Sequence, residues 1–326
     1  MKSTRFSWLA GTAALALGAA FSAPAAFAVE GGTGAYFLGS RDTLAGVVPP
    51  PGNYVSSDFI YFEGSVENVS IGGLAVGSAK VRTNLFKFSY THVFDASLWG
   101  GTPAINLNIP YANADIDLTT PAVAGSLQDE RTAMGDISVT GMVGWHDGMR
   151  HWNTGATVYA PVGQYDPATI NPATRQADVL SIGKNVWAIQ PFIAGTYLNT
   201  ENGRELSGAA SLLFSEPNDA TDYHSAPQFA LELAALQHLP SGLALGASGY
   251  AYHQIGDDGG VGAERIRQAL GASSLRAQVY GIGPIVTYSG EFSGQKATME
   301  FHYTHEFDAK RRFESDVYWM NVGFVF

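Results

Sequence analysis

The chain has 326 residues, no cysteine and a formal charge of −11, with 46% hydrophobic residues and a mean hydropathy of +0.01. No cysteine means no disulfide framework and no thiol chemistry, and the acidic balance disfavours nucleic-acid binding. The hydropathy is too low for a helical membrane protein. It suits a membrane barrel, where lipid-facing and lumen-facing residues alternate and cancel.

Lys2 and Arg5 form a positive head, residues 9–21 an apolar run too short to span a bilayer, and Ala26, Phe27 and Ala28 a small-x-small cleavage site. Residues 1–28 are therefore predicted as a signal peptide, with Val29 as the mature start, and the protein leaves the cytoplasm. Residues 29–53 follow, and their glycines and Pro49, Pro50 and Pro51 make a poor strand and a poor helix. Tyr36, Phe37, Leu38, Leu44, Val47 and Val48 gain by being shielded from water. The segment is predicted to enter the lumen from the periplasmic mouth as a plug, with Arg41 and Asp42 meeting wall residues such as Glu300 or Lys87. The competing reading is a disordered periplasmic tail.

Residues 54–326 read as one all-β domain, a single transmembrane antiparallel β-barrel of about 12 strands. Alternation is clean in 104–111, 136–145, 205–214 and 297–307, each with an apolar and a polar row. Short turns at 146–148, 200–203, 240–242 and 289–294 are assigned to the periplasmic side, and longer links at 64–80, 113–133, 163–184, 215–226 and 256–273 to the outside. Within the last of these, 262–270 has good helix formers and Gly271 as a stop, which predicts a short helix. The final stretch, 312–326, sets Tyr318, Met320, Val322, Phe324 and Phe326 in one unbroken apolar row, as expected of a closing strand that faces lipid.

Strand parity names candidate lumen residues: Asp58, Lys87, Asn106, Asn108, Asp136, Gln190, Glu232, Arg276, Glu300 and His302. They form either a selective pore wall or a polar network that fills the interior. Pro191, and Gly281 and Gly283 with Pro284, put prolines where ladder bonds would be lost, predicting bulged kinks that could open a lateral exit. Chemistry finds no support: the eight histidines are scattered, no G-x-S-x-G elbow is present, and Asp257-Asp258-Gly259-Gly260 lacks the acidic spacing of a calcium loop. No enzyme activity, cofactor or metal is expected.

Several motifs carry a family resemblance. They are Glu30-Gly31-Gly32, the passage from Leu44-Ala45-Gly46 to Gly52-Asn53-Tyr54, Tyr165-Asp166, Ile182-Gly183-Lys184-Asn185-Val186-Trp187, Thr221-Asp222-Tyr223, and Gly281 to Pro284. With His305-Glu306-Phe307-Asp308-Ala309 and the hairpin that follows, they resemble the SphA-like family, also called the phenol meta-pathway degradation family of outer-membrane transporters. The resemblance covers essentially the whole mature chain. It implies a channel in the cell outer membrane for passive uptake of small hydrophobic or aromatic compounds. A narrow porin for polar solutes, or a structural or adhesive barrel acting through its loops, are the alternatives. The implied partners are outer-membrane lipid, the hydrophobic substrate, and the barrel assembly machinery, which would recognise the strand ending at Phe326.

Overall fold

The computed structural model describes residues 30–121, 123–171, 173–292 and 294–326. The predicted signal peptide lies outside them. The described residues form fifteen strands and one helix: β1 (Gly52–Ile71), β2 (Leu74–Val93), β3 (Thr102–Thr120), β4 (Val123–Met134), β5 (Ile137–Asp147), β6 (Arg150–Ala160), β7 (Thr169–Asn171), β8 (Gln176–Asp178), β9 (Ala188–Asn199), β10 (Arg204–Ser215), β11 (Gln228–His238), β12 (Leu243–Gln254), α1 (Gly260–Leu270), β13 (Gln278–Phe292), β14 (Gln295–Lys310) and β15 (Glu314–Val325).

Every neighbouring pair in the wall is antiparallel, and β1 pairs with both β2 and β15, so the sheet closes on itself. The main sheet has thirteen strands, but β4 and β5 lie end to end along β3, which gives the barrel twelve wall positions. β7 and β8 form a separate small hairpin in the long link between β6 and β9. The predicted helix is present, and Gly271 ends it in the left-handed conformation, its N–H bonding back to the last turn.

Three strands are far longer than a bilayer needs. β1 and β2 have 20 residues each and β3 has 19, whereas about ten tilted residues cross the hydrocarbon. Their side-chain pattern inverts half-way along. In β2, Lys87 and Ser89 point inward and Phe86 and Tyr90 outward in the lower half, while in the upper half Val76, Val81 and Leu85 are buried and Lys80, Arg82 and Asn84 are exposed. β3 does the same: Asn106 and Asn108 face inward below, and Ala112, Ala114, Ile116 and Leu118 above. Polar-in, apolar-out is the pattern of a wall in lipid, and apolar-in, polar-out that of a sheet in water. The changeover falls at Ile60, Leu85 and Ala112, which are register partners, and it marks the outer limit of the hydrocarbon.

The upper halves therefore stand above the membrane as a water-soluble extension with its own core. Val66, Val69, Val76, Ile116 and Leu127 pack there with Val179 and Leu180 from the β6–β9 link and with Phe313. This corrects two expected loops. The link at 64–80 is a hairpin closed by Gly72 and Gly73, both at positive φ as a two-residue hairpin turn requires, and most of 113–133 belongs to β3 and β4.

Candidate functional site: a lumen of two chambers

Residues 30–51 run down the inside of the barrel. Glu30 lies at the outer end, where its Oε2 accepts hydrogen bonds from Asn218 Nδ2 at 2.8 Å and Thr221 Oγ1 at 3.1 Å, and Gly31 N–H donates to the Ser70 carbonyl at 2.8 Å. Gly46, near the short-turn end, donates to Thr196 Oγ1 at 2.9 Å, and Asn153 donates to the Ala45 carbonyl at 2.8 Å. The described segment thus fills the lumen from the short-turn end, where it joins β1, up to Glu30 at the outer end. Leu44 departs from expectation, being 36% exposed.

Two wall carboxylates hold this segment. Glu232 accepts the Tyr36 hydroxyl at 2.7 Å and the backbone N–H groups of Gly39 and Arg41 at 2.6 and 2.8 Å. Glu205 accepts Leu44 N–H at 2.7 Å and the Thr43 hydroxyl at 3.0 Å, and His238 Nε2 lies 2.6 Å from its other oxygen. Hydrogen bonds to a charged acceptor contribute about 1.5–3 kcal/mol each, so these two side chains fix the path of a segment that has no regular structure. The Arg41 guanidinium stacks 3.8 Å from the Phe192 ring centre and donates to Thr157 Oγ1 at 3.0 Å. Leu38 packs into a cluster with Ala230, Tyr250, Tyr252 and Val279.

With the segment in place, the interior divides into two cavities. The outer one, about 190 Å³, is walled by apolar groups such as Phe62, Val81, Leu85, Ile116, Leu180 and Phe313. The inner one, about 420 Å³, is walled by Asp58, Lys87, Asn106, Asn108, Thr140 and Glu300 among others. Four residues line both: Ala35 and Phe37 from the segment, Pro110 and Asp136 from the wall. Phe37 packs against the collar of Ile60, Leu85, Ala112 and Trp319 at the changeover level, which makes it the partition between the chambers.

Lys184 borders the outer chamber, donating from Nζ to Thr33 Oγ1 at 3.0 Å. Burial pushes its ammonium down to about 8 against the opposing pull of Asp136 and Glu30, and burial raises the Glu30 carboxyl. Asp136 sits in the break between β4 and β5, where its two oxygens accept Gly163 N–H at 2.9 Å and Lys184 N–H at 2.7 Å. It ties the β6–β9 link to the wall.

The parity candidates fare differently. Asp58 is buried between Trp319 Nε1 at 2.8 Å, Asn321 Nδ2 at 2.9 Å and Lys87 Nζ at 3.2 Å. Asn106 and Asn108 chain through Thr91, Ser89 and Ser138, and Gln190 bonds Tyr159 and Ser211. Glu300 and His302 face Asp42, whereas Lys87 is engaged by Asp58 and Arg41 by Thr157. Arg276 is not on the wall: it precedes β13, is exposed, and pairs with Asp257 at 3.0 Å in the outer loop.

Pro191 and Pro284 face outward, and the ladder lapses beside each, between Ser211↔Phe192 and Phe214↔Ile189, and between Ile282↔His305 and Ile285↔His302. The register is the same on both sides of each lapse, so the bulges expected there are absent. A missing donor leaves a gap without adding a residue. Neither proline, nor Gly281 or Gly283, borders either chamber. Glu205, Trp319 and Phe37 were not singled out from parity. Glu205 and Trp319 lie on inward rows of their strands, but their importance comes from partners far away in sequence.

A closed barrel with an apolar belt and a partly filled lumen defines an outer-membrane β-barrel. Across residues 64–322 the sequence matches the family described as "Putative MetA-pathway of phenol degradation", and the chain belongs to that family. Its structure is similar to the COG4313 outer membrane channel from Pseudomonas putida F1, with 14% identity and a TM-score of 0.65 over 87% of this chain and 99% of that one. A weaker similarity, with 12% identity and a TM-score of 0.46 over 85% and 90% of the two chains, is to the translocator domain of the autotransporter NalP from Neisseria meningitidis. No curated protein matches the sequence.

Proposed function

We propose that this barrel is a passive channel for small hydrophobic or aromatic compounds, with residues 30–51 as its plug and no catalytic step. The observation that carries the reading is the outer chamber, an apolar cavity standing above the hydrocarbon level and lined by inward side chains that a polar-solute pore would not need. Membership of a phenol-degradation family and similarity to an outer membrane channel support it. An apolar solute leaving water gains about 25 cal/mol per Å² of surface buried, so this chamber concentrates such solutes at the entrance. Phe37 then separates capture from passage. The polar wall of the inner chamber, with the Asp58–Lys87 pair, favours a narrow porin as the second reading.

Recognition by the assembly machinery is supported by the closing strand, since Tyr318 and Met320 of β15 and Phe326 directly after it are exposed. To test the channel reading, the barrel is expressed in a porin-depleted Gram-negative host and uptake of a labelled monoaromatic hydrocarbon is compared with that of a sugar of similar size. The expected outcome is faster aromatic uptake with sugar uptake unchanged. Faster sugar uptake alone would transfer the assignment to the porin.

A further inference from the structure

Asp42 of the descending segment meets Glu300 and His302 of β14 at a point where their charges are incompletely matched. One donor atom from each lies within 4.8 Å of the others. His302 Nδ1 is 3.1 Å from Glu300 Oε1 and 3.4 Å from Asp42 Oδ2. An imidazole nitrogen carries at most one proton, so Nδ1 can donate to one of the two carboxylates. Glu300 is nearer. Asp42 Oδ1 accepts Thr43 N–H at 2.6 Å, but Asp42 Oδ2 is buried with no hydrogen-bond partner, in a residue only 5% exposed. A buried, unpaired carboxylate oxygen aimed at two further ligand-type groups is costly as it stands.

We propose that Asp42, Glu300 and His302 form a binding site for a divalent transition-metal ion of the zinc type, joining the segment to the wall. Zn²⁺ bound at roughly 2.0–2.2 Å by nitrogen and oxygen in a tetrahedron sets its donors roughly 3.3 Å apart, close to the two separations found here. Neutral imidazole with two carboxylates balances the charge of the ion. It also gives Asp42 Oδ2 the partner it lacks. Ca²⁺ fits poorly, since it takes six to eight oxygen ligands. Asp42 and Glu300 border the inner chamber, which supplies both the entry path and room for a water as fourth ligand. The ion would act as a removable clasp, because one ligand comes from residues 30–51 and two from β14. The proposal does not depend on which solute the barrel passes.

The test uses full-length barrel purified in detergent, stripped with a chelator and titrated with Zn²⁺ alone by calorimetry, with elemental analysis of the dialysed product. One equivalent is expected to bind, with affinity at least tenfold weaker in Asp42→Asn and in His302→Gln. Glu300→Gln serves if either fails to fold, as judged by the heat-dependent gel mobility of a folded barrel. The control is His146→Gln with His151→Gln, a pair on the β5–β6 hairpin with ring centres 6.2 Å apart that could take up Zn²⁺ adventitiously. Loss of binding in the control alone, or no saturable binding by the stripped wild type, overturns the site. Binding that survives the control and falls in the site variants supports it.

Discussion

The outer and inner chambers are built by the same strands, yet they are chemical opposites. β1 supplies Asp58 to the inner chamber and Phe62 to the outer, β2 supplies Lys87 and Val81, and β3 supplies Asn108 and Ile116. What changes along each strand is the solvent on its far side. Lipid outside permits a polar interior satisfied by hydrogen bonds and an ion pair, whereas water outside demands an apolar interior. A solute moving inward therefore meets an apolar surface first and a polar one second, with Phe37 between them.

The strongest challenge to this two-chamber picture is to remove what divides it. Deleting residues 31–48 while keeping residues 1–30 takes away the partition together with the groups that Glu232 and Glu205 bind. Single-channel conductance in planar bilayers should rise severalfold and discrimination between aromatic and polar solutes should fall, since twelve strands fall between a barrel that its own side chains fill and one that leaves an open aqueous channel, and the segment occupies the space between. Unchanged conductance and selectivity would mean that the segment leaves the lumen in a bilayer, and the constriction would then lie among the wall residues.

A narrower cut is Phe37→Ala. It keeps the anchors of the segment and empties only the collar position beside Ile60, Leu85 and Trp319. Aromatic uptake should increase by about twofold, with a smaller gain in conductance, because the loss of one ring widens a constriction that the apolar collar still lines. Equal gains for aromatic and sugar solutes would show that Phe37 is filler and does not divide an apolar environment from a polar one.

How much of this was legible beforehand follows from the same inversion. Parity located the lower halves of the strands, and Asp58, Lys87, Asn106, Asn108, Gln190, Glu232, Glu300 and His302 all lie on inward rows. It failed for the upper halves of β1 to β4, where the polar row changes face and Gly72 and Gly73 look like part of a loop. The helix at Gly260–Leu270 was legible from propensity and Gly271 alone. The path of residues 30–51 was not, because it is set by Glu232 and Glu205, roughly 160 to 200 residues away in sequence. Arg276 was misplaced because the outer loop, expected to end at 273, continues to Ala277 before β13 begins at Gln278.

The smallest expected effect is a pH dependence confined to the outer chamber. Lys184 is held down to about 8 by burial, with Asp136 and Glu30 limiting the shift, while Tyr165 nearby is pushed up to about 12 and stays neutral throughout. Below about 8 the folded chain carries the Lys184 charge; above it the folded chain has lost a proton that the unfolded chain keeps until near 10.5. The unfolded state binds more protons in that window, so stability rises with pH there, relative to a Lys184→Met variant, and the full cost of the buried ammonium is present below it. Permeation should follow the charge. Raising pH from 7 to 9 removes a cation beside the apolar cavity, leaving Glu30 and Asp136 less opposed, so ion selectivity should drift modestly toward cations in the wild type. Lys184→Met should begin at the wild type's high-pH selectivity and show no drift of its own. An equal drift in the variant would move the titrating group elsewhere and leave the outer chamber electrically silent at these pH values.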